Sequence, residues 1–240
     1  MKAGRSKRMG TVLLWGALLL LVLVQIGSNL ALRPLRPAIE EMPYPLSPLA
    51  MRALALGDDQ FLFRTEISWL QSVGDGGGRV RPLKDYDYGR IIDWMRLIDG
   101  LDLNSQSIYA LGSNYFGAIL DPVAGPPKIK LVAQYFVEAG VADPARRWPW
   151  LVWAAVKIQR TVKDPDLARN TADSISTLPQ SADIPDWIPL LEMPLYRVAG
   201  EKEKAAALAA SPDMIARRRR VASNFKTRMH ELGFDKDQQP

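Results

Sequence analysis

The sequence predicts an all-α protein: an N-terminal transmembrane helix, then an α-solenoid of about four helix pairs, then a C-terminal helix. Three features carry this. The stretch "MGTVLLWGALLLLVLVQIGSNLAL", residues 9–32, holds no charge. Beyond it, Gly, Asp and Pro punctuate segments whose apolar residues recur at helical spacing, and no run of alternating β-branched residues interrupts them. The longer segments begin near Asp59, Ser105, Ala145 and Ile184, at intervals of 46, 40 and 39 residues. Such recurrence marks a helical array in which no single unit can bury its apolar face alone.

The first element is the apolar one. At 1.5 Å per residue, residues 9–32 are long enough for a bilayer core of about 30 Å. The basic N-terminus, residues 1–8, places Lys2, Arg5, Lys7 and Arg8 before the span, against Arg33 and Arg36 after it. The positive-inside bias therefore puts the N-terminus in the cytoplasm and everything from Arg33 outward across the membrane; in a bacterial inner membrane, the expected setting, that far side is the periplasm. A cleaved signal peptide would need small residues at its cleavage site, and Asn29, Leu30 and Ala31 are a poor match. Residues 33–48, with five prolines, read as an extended spacer.

The helical domain is expected over 49–210. Ser47 and Pro48 supply a cap and a first-turn proline, and Gly57 closes that helix. Asp58 or Asp59 opens the next, with Phe63, Ile67 and Leu70 on one face. Asp87 opens a helix bearing Ile91, Trp94, Met95 and Ile98, and Ser105 opens the one after it. Pro126 and Pro127 lead into a helix expected to close at Gly140. Asp143-Pro144 and Asp164-Pro165 open two more, with Pro149 tolerated in a first turn and Pro179 ending the second. Helices near 184 and 201 follow, and a basic C-terminal helix and tail occupy 211–240. Each long helix pairs with a shorter one near 87, 127, 165 and 201.

The stretch "GLDLNSQSIYALGSNYFGAILDP" resembles a tetratricopeptide repeat. Leu101, Asp102 and Asn104 look like that family's junction between helices, and Leu111, Gly112 and Tyr115 fall at its small-and-large contact positions. Ala168 and Ala172, in "DPDLARNTADSISTLP", look like the small residues of another unit's second helix. The period exceeds the family's, Leu103 replaces the junction proline, and Pro185, Pro189 and Pro194 interrupt the fourth unit. The resemblance covers about 59–210 and implies a scaffold that binds other proteins of a membrane complex in a helix-lined groove.

The glycine-rich "SVGDGGGRVRPLKDYDYG" does not cradle phosphate, because Arg79-Val80 follows where a phosphate loop needs Lys and then Ser or Thr. It reads as a loop, with Gly74 as a helix cap. Its mixture of cations and aromatics suits recognition: Arg79, Arg81 and Lys84 beside Tyr86 and Tyr88 are the expected partner-binding residues. Tyr109, Tyr115 and Trp153 join them if the longer helices line a groove. Trp150 is expected in the core, and Trp148 at its edge.

Chemistry is poorly provided for. Cysteine is absent and His230 is the sole histidine, so thiolate catalysis, a metal centre and a serine–histidine–acid triad lack their parts, and neither an enzyme nor a cofactor is expected. Asp85 with Asp87, and Asp183 with Asp186, fall at helix starts and read as caps. The net charge of +5 resides at the two ends, since residues 33–210 carry 20 basic against 22 acidic side chains. That distribution argues against nucleic acid. Arg217, Arg218, Arg219 and Arg220 form the strongest charge run, a solvated face or a contact for anionic lipid. The competing readings are a structural subunit of a membrane complex and a tethered envelope hydrolase using Asp85 and Asp87.

Overall fold

A computed structural model of the chain describes residues 15–28, 42–73, 75–76, 79–179, 181 and 183–231. It divides into two units, Met1–Glu41 and Met42–Pro240. In the first, residues 15–28 form helix α1, on which Trp15, Ile26 and all of 18–24 are exposed. No described helix is long and apolar enough to cross a membrane, which overturns the expected transmembrane helix. The physical reason is length: 15–28 rises about 21 Å against a core of about 30 Å. Residues 1–14 and 29–41, including the basic N-terminus and most of the spacer, lie outside the described residues.

The described part of the second unit is mostly helical. Its helices are α2 (Pro48–Leu54), α3 (Asp59–Ser72), α4 (Tyr88–Asp99), α5 (Ser107–Leu111), α6 (Gly125–Ala142), α7 (Pro144–Lys157), α8 (Pro165–Ser176), α9 (Glu192–Val198), α10 (Lys202–Ala210) and α11 (Pro212–Glu231). Side-chain caps set four of the starts: Ser47, Asp58, Asp87 and Asp164 accept backbone N–H groups of the first turns of α2, α3, α4 and α8. Short 3-10 turns occupy Leu83–Asp85 and Ile188–Leu191. The glycine-rich loop folds as a minimal hairpin, Asp75–Gly76 (β1) pairing antiparallel with Arg79–Val80 (β2). Gly74, the expected cap, lies outside the described residues.

Successive helices pack on one another, compatible with a helical repeat fold: α3 on α4, α6 on α7, α8 on α9 and α9 on α10, whereas the expected partners of α5 and α7, namely α6 and α8, are not their main neighbours. Several polar ties span about 42 residues, among others with spans such as 31 and 51. Gln60 donates to Asp102, Arg96 to Glu138 and Arg146 to Asn104, all 42 residues apart. Lys128 donates to the Tyr86 carbonyl across another 42 residues, and Lys157 to the Gly117 carbonyl across 40. Side chains one period apart meet when like surfaces stack on like.

Three departures from the sequence reading have clear causes. Helix α6 runs through Gly140 instead of stopping there; a Cβ at 140 would sit 2.5 Å from Leu151 Cγ, so this glycine admits α7. The expected long–short alternation fails at α5 and α6, because α5 has only five helical residues before its π turn and α6 has eighteen. The helix expected at 184 begins as a 3-10 turn at 188, since Pro185 and Pro189 remove donors from its start. Residues 42–47, the end of the presumed spacer, lie against the helical body. Met42 is buried, Arg90 Nη1 donates to its carbonyl at 2.7 Å, and Trp94 Nε1 donates to the Pro43 carbonyl at 2.8 Å.

The core centres on α6 and α7, where Val132, Ala133, Phe136, Trp150, Leu151 and Ala154 are wholly buried. Gly112 lies in the same layer, and a Cβ there would come within 2.7 Å of both Met95 and Phe136. Helices α5 and α7 each end in a widened π turn, Gly112–Phe116 and Ile158–Val162, closed by Gly117 N–H to Gly112 O and Lys163 N–H to Ile158 O. Among the described residues, one ion pair runs through the interior. Arg147 donates twice to Asp99, at 2.6 and 2.9 Å, with side chains only 7% and 9% exposed.

Candidate partner-binding surface

Helices α3 and α5 border an open cleft of about 310 Å³, lined by Gln71, Ser107, Ala110, Leu111 and Tyr115. Its walls are amide, hydroxyl and hydrocarbon with one aromatic rim, and none of the lining residues is charged. Tyr115 forms the rim because the π turn rotates it outward while Phe116, its neighbour at 5.1 Å, faces the core. Next along the chain, Tyr109 stacks on Trp150 at 6.0 Å and 19°, and Phe136 joins Trp150 and Trp153 at 5.0 and 5.1 Å. This aromatic block anchors α5 against α6 and α7. Burial pushes the Tyr109 phenol up from its ordinary value.

The residues expected to bind a partner separate into distinct environments. Tyr86 and Tyr88 are core: Tyr86 Oη donates to the Val73 carbonyl at 2.6 Å and Tyr88 Oη to the Phe116 carbonyl at 2.8 Å. Desolvation raises the Tyr88 phenol well above the usual range. Arg81 donates to the Asp85 carbonyl and lies 5.7 Å over the Tyr86 ring, while Lys84 pairs with Asp121 at 3.3 Å. The Arg79 side chain lies outside the described residues. Trp153 is half-buried, sits under the Lys157 ammonium at 5.3 Å, and fills the space that a Cβ on Gly117 would take. Of the expected set, only Tyr115 borders the cleft. Gln71, Ser107 and Ala110 escaped the sequence reading because small or uncharged residues on a helix carry no chemical signal.

The four consecutive arginines are divided in the same way. Arg217 pairs with Asp186 and Asp213, Arg220 donates to Asp186 at 2.8 Å, and Arg218 reaches the Met193 sulfur. Hydrogen bonding from Arg220 holds the Asp186 carboxyl below its ordinary value. Arg219 alone has no partner among the described residues. Most of the run thus docks α11 on the segment before α9.

Groups that could do chemistry are dispersed. Asp87 caps α4, accepting the N–H groups of Gly89 and Arg90, and Asp183 hydrogen-bonds within its own turn to Ser181. The His230 side chain is outside the described residues. Among the described residues no cluster of His, Asp and Glu could hold a metal ion. One carboxyl stands apart. Glu192 is 4% exposed, and burial pushes it up to about 7, with Asp173 acting in the same direction and Arg217 and Lys204 opposing.

No protein-family model matches this chain, and neither does any curated protein or solved structure. The class is set by the packing alone: an all-helical protein of paired helices, compatible with a helical repeat.

Proposed function

We propose that the protein is a binding scaffold of the tetratricopeptide-repeat-like kind, which holds another polypeptide against the face made by the first helix of each pair. The observation that carries this is the open α3–α5 cleft, with an uncharged lining and Tyr115 on its rim. Gly112, Ala168 and Ala172 are buried at helix contacts, in keeping with the small-residue positions of such repeats. A rigid backing suits binding, because a preorganised surface loses little conformational entropy when it is occupied. Binding is favoured over hydrolysis because Asp87, one of the two acids a hydrolase would use, is committed to capping a helix.

A photoreactive residue at Ser107 or Ala110 tests this, with Glu203 on α10 as control. Adducts of one defined mass are expected at 107 and 110, absent at 203, and lost from the 107 probe when Ala110→Arg blocks the cleft. Equal labelling at all three positions, or none at 107 and 110, refutes the proposal.

A further inference from the structure

The loop between the π turn of α5 and the start of α6 presents two apolar side chains to water and holds them there. Leu120 is 95% exposed and Val123 83%, with Pro122, also exposed, between them. The loop is braced from within. Asp121 Oδ1 accepts the N–H groups of Val123 and Ala124 at 3.0 and 2.9 Å, its carbonyl accepts Gly125 N–H at 2.9 Å, and its Oδ2 takes Lys84 Nζ at 3.3 Å. Gly125 lets Ile119 close up behind the tip, since a Cβ there would lie 3.2 Å from the Ile119 carbonyl oxygen. A leucine fixed in this position adds nothing to the helical core, and its hydrophobic gain awaits whatever covers it.

Cations flank the tip. Lys157 Nζ reaches the Gly117 carbonyl at 3.0 Å, which brings the end of α7 beside the start of the loop. Lys128, in the first turn of α6, donates to the Tyr86 carbonyl, and Lys130 pairs with Asp164 just past the π turn of α7. With the Lys84–Asp121 pair, these ties align segments 81–88, 117–124 and 157–164 along one edge of the helical body. On the last of them Arg160 and Lys163 are exposed. Of the acids on these segments, Asp87, Asp121 and Asp164 are matched by Arg90, Lys84 and Lys130. Asp85 then stands against Lys128, Lys157, Arg160 and Lys163, and the edge is net positive.

We propose that this edge docks on the surface of an anionic bilayer: Leu120 and Val123 enter the headgroup layer while Lys128, Lys157, Arg160 and Lys163 meet the lipid phosphates and carboxylates beside them. Insertion of apolar side chains and attraction of neighbouring cations to acidic lipid reinforce each other in such an arrangement. A lipid surface satisfies both halves of the edge. An acidic polypeptide would engage the cations and leave Leu120 and Val123 in water, and an apolar pocket on a protein would take the two side chains and leave the cations unanswered. The contact lies on one leaflet, needs no helix that crosses the bilayer, and is independent of the α3–α5 cleft.

The chain has no cysteine, so Val123→Cys, and separately Leu120→Cys, each carry a nitrobenzoxadiazole dye at a single site. The labelled full chain is mixed with phosphatidylcholine vesicles, with or without phosphatidylserine, that contain a spin-labelled acyl chain; Glu203→Cys on α10 is the control position. Helix α1 is present in every sample, so its own affinity for lipid is common to all. Blue-shifted emission and quenching by the spin label are expected at 123 and 120 with phosphatidylserine, and neither without it nor at 203. Arg160→Gln and Lys163→Gln should each lower the docked-to-free ratio at 123 about fivefold, and about 1 M salt should abolish docking. Equal signals from the two kinds of vesicle, charge variants that match their parent, or silence at both labelled loop positions would overturn the proposal. So would the same emission change at 123 with polyglutamate or RNA in place of vesicles, which would mark the edge as a site for another polyanion.

Discussion

Replacing Asp99 with alanine removes one half of the only ion pair in the structure whose two described side chains are both nearly sealed from water. Arg147 then keeps its charge in the core with little to receive it. Its Nε already lacks a partner, and its remaining neighbour is the Trp150 ring at 4.6 Å. The Tyr135 hydroxyl, buried beside Asp99 without a well-formed hydrogen bond, cannot accept more than one of the freed donors. Breaking a buried pair from one side costs about 3–5 kcal/mol, against about 0–1 kcal/mol for an exposed pair. With a urea slope of about 2 kcal/mol/M, Asp99→Ala should lower the unfolding midpoint by about 2 M. The double variant Asp99→Leu with Arg147→Met removes both charges and fills the space, and should fall within about 1–2 kcal/mol of wild type. Urea denaturation followed by far-UV circular dichroism, on Asp99→Leu, Arg147→Met and the double variant, closes the cycle, with Asp99→Ala measured beside it. A cost below about 1 kcal/mol for Asp99→Ala, or two single effects that simply add, would show that burial does not set the strength of this pair.

Gly117→Ala drives a methyl group into Trp153 and into the Gly112 carbonyl at the closing bond of the π turn, and should cost about 1–3 kcal/mol with loss of near-UV signal from Trp153. Gly89→Ala, where the nearest atom is a side-chain oxygen at 3.2 Å, serves as its milder comparison. Asp164 caps α8 and pairs with Lys130, which together hold its carboxyl below the ordinary 3.8. A depressed folded-state value gives stability that is present above 3.8 and lost as pH falls through the folded value. Asp164→Ala should therefore cost about 1 kcal/mol at neutral pH and progressively less in acid, as thermal melts across the acid limb would show.

The helix starts were legible because capping is local: Ser47, Asp58, Asp87 and Asp164 each act on N–H groups two or three residues away, so the signal lies within one turn of sequence. Ends were less so. Gly140 breaks an isolated pattern, yet here close contact with Leu151 matters more than its low helix propensity, a tertiary effect that no local window contains. Charge and hydropathy at 9–32 suggested a span, but the described helix is too short to be one. For the surface, Tyr86 and Tyr88 read as exposed because their neighbours are charged, whereas both hydroxyls are bound to interior carbonyls. An amphipathic ring is equally suited to a rim and to a core with one acceptor in reach, and sequence does not say which. Glu192 was visible in hindsight as the lone charge in the apolar run "IPLLEMPLY".

The fastening of residues 42–44 across α4 has a mechanical consequence. Arg90 and Trp94 grip two successive main-chain carbonyls, and the Arg90 guanidinium also lies 4.3 Å over the Tyr44 ring. Traction applied at Met42 therefore meets these bonds before it reaches α2, and the load passes sideways into the middle of α4.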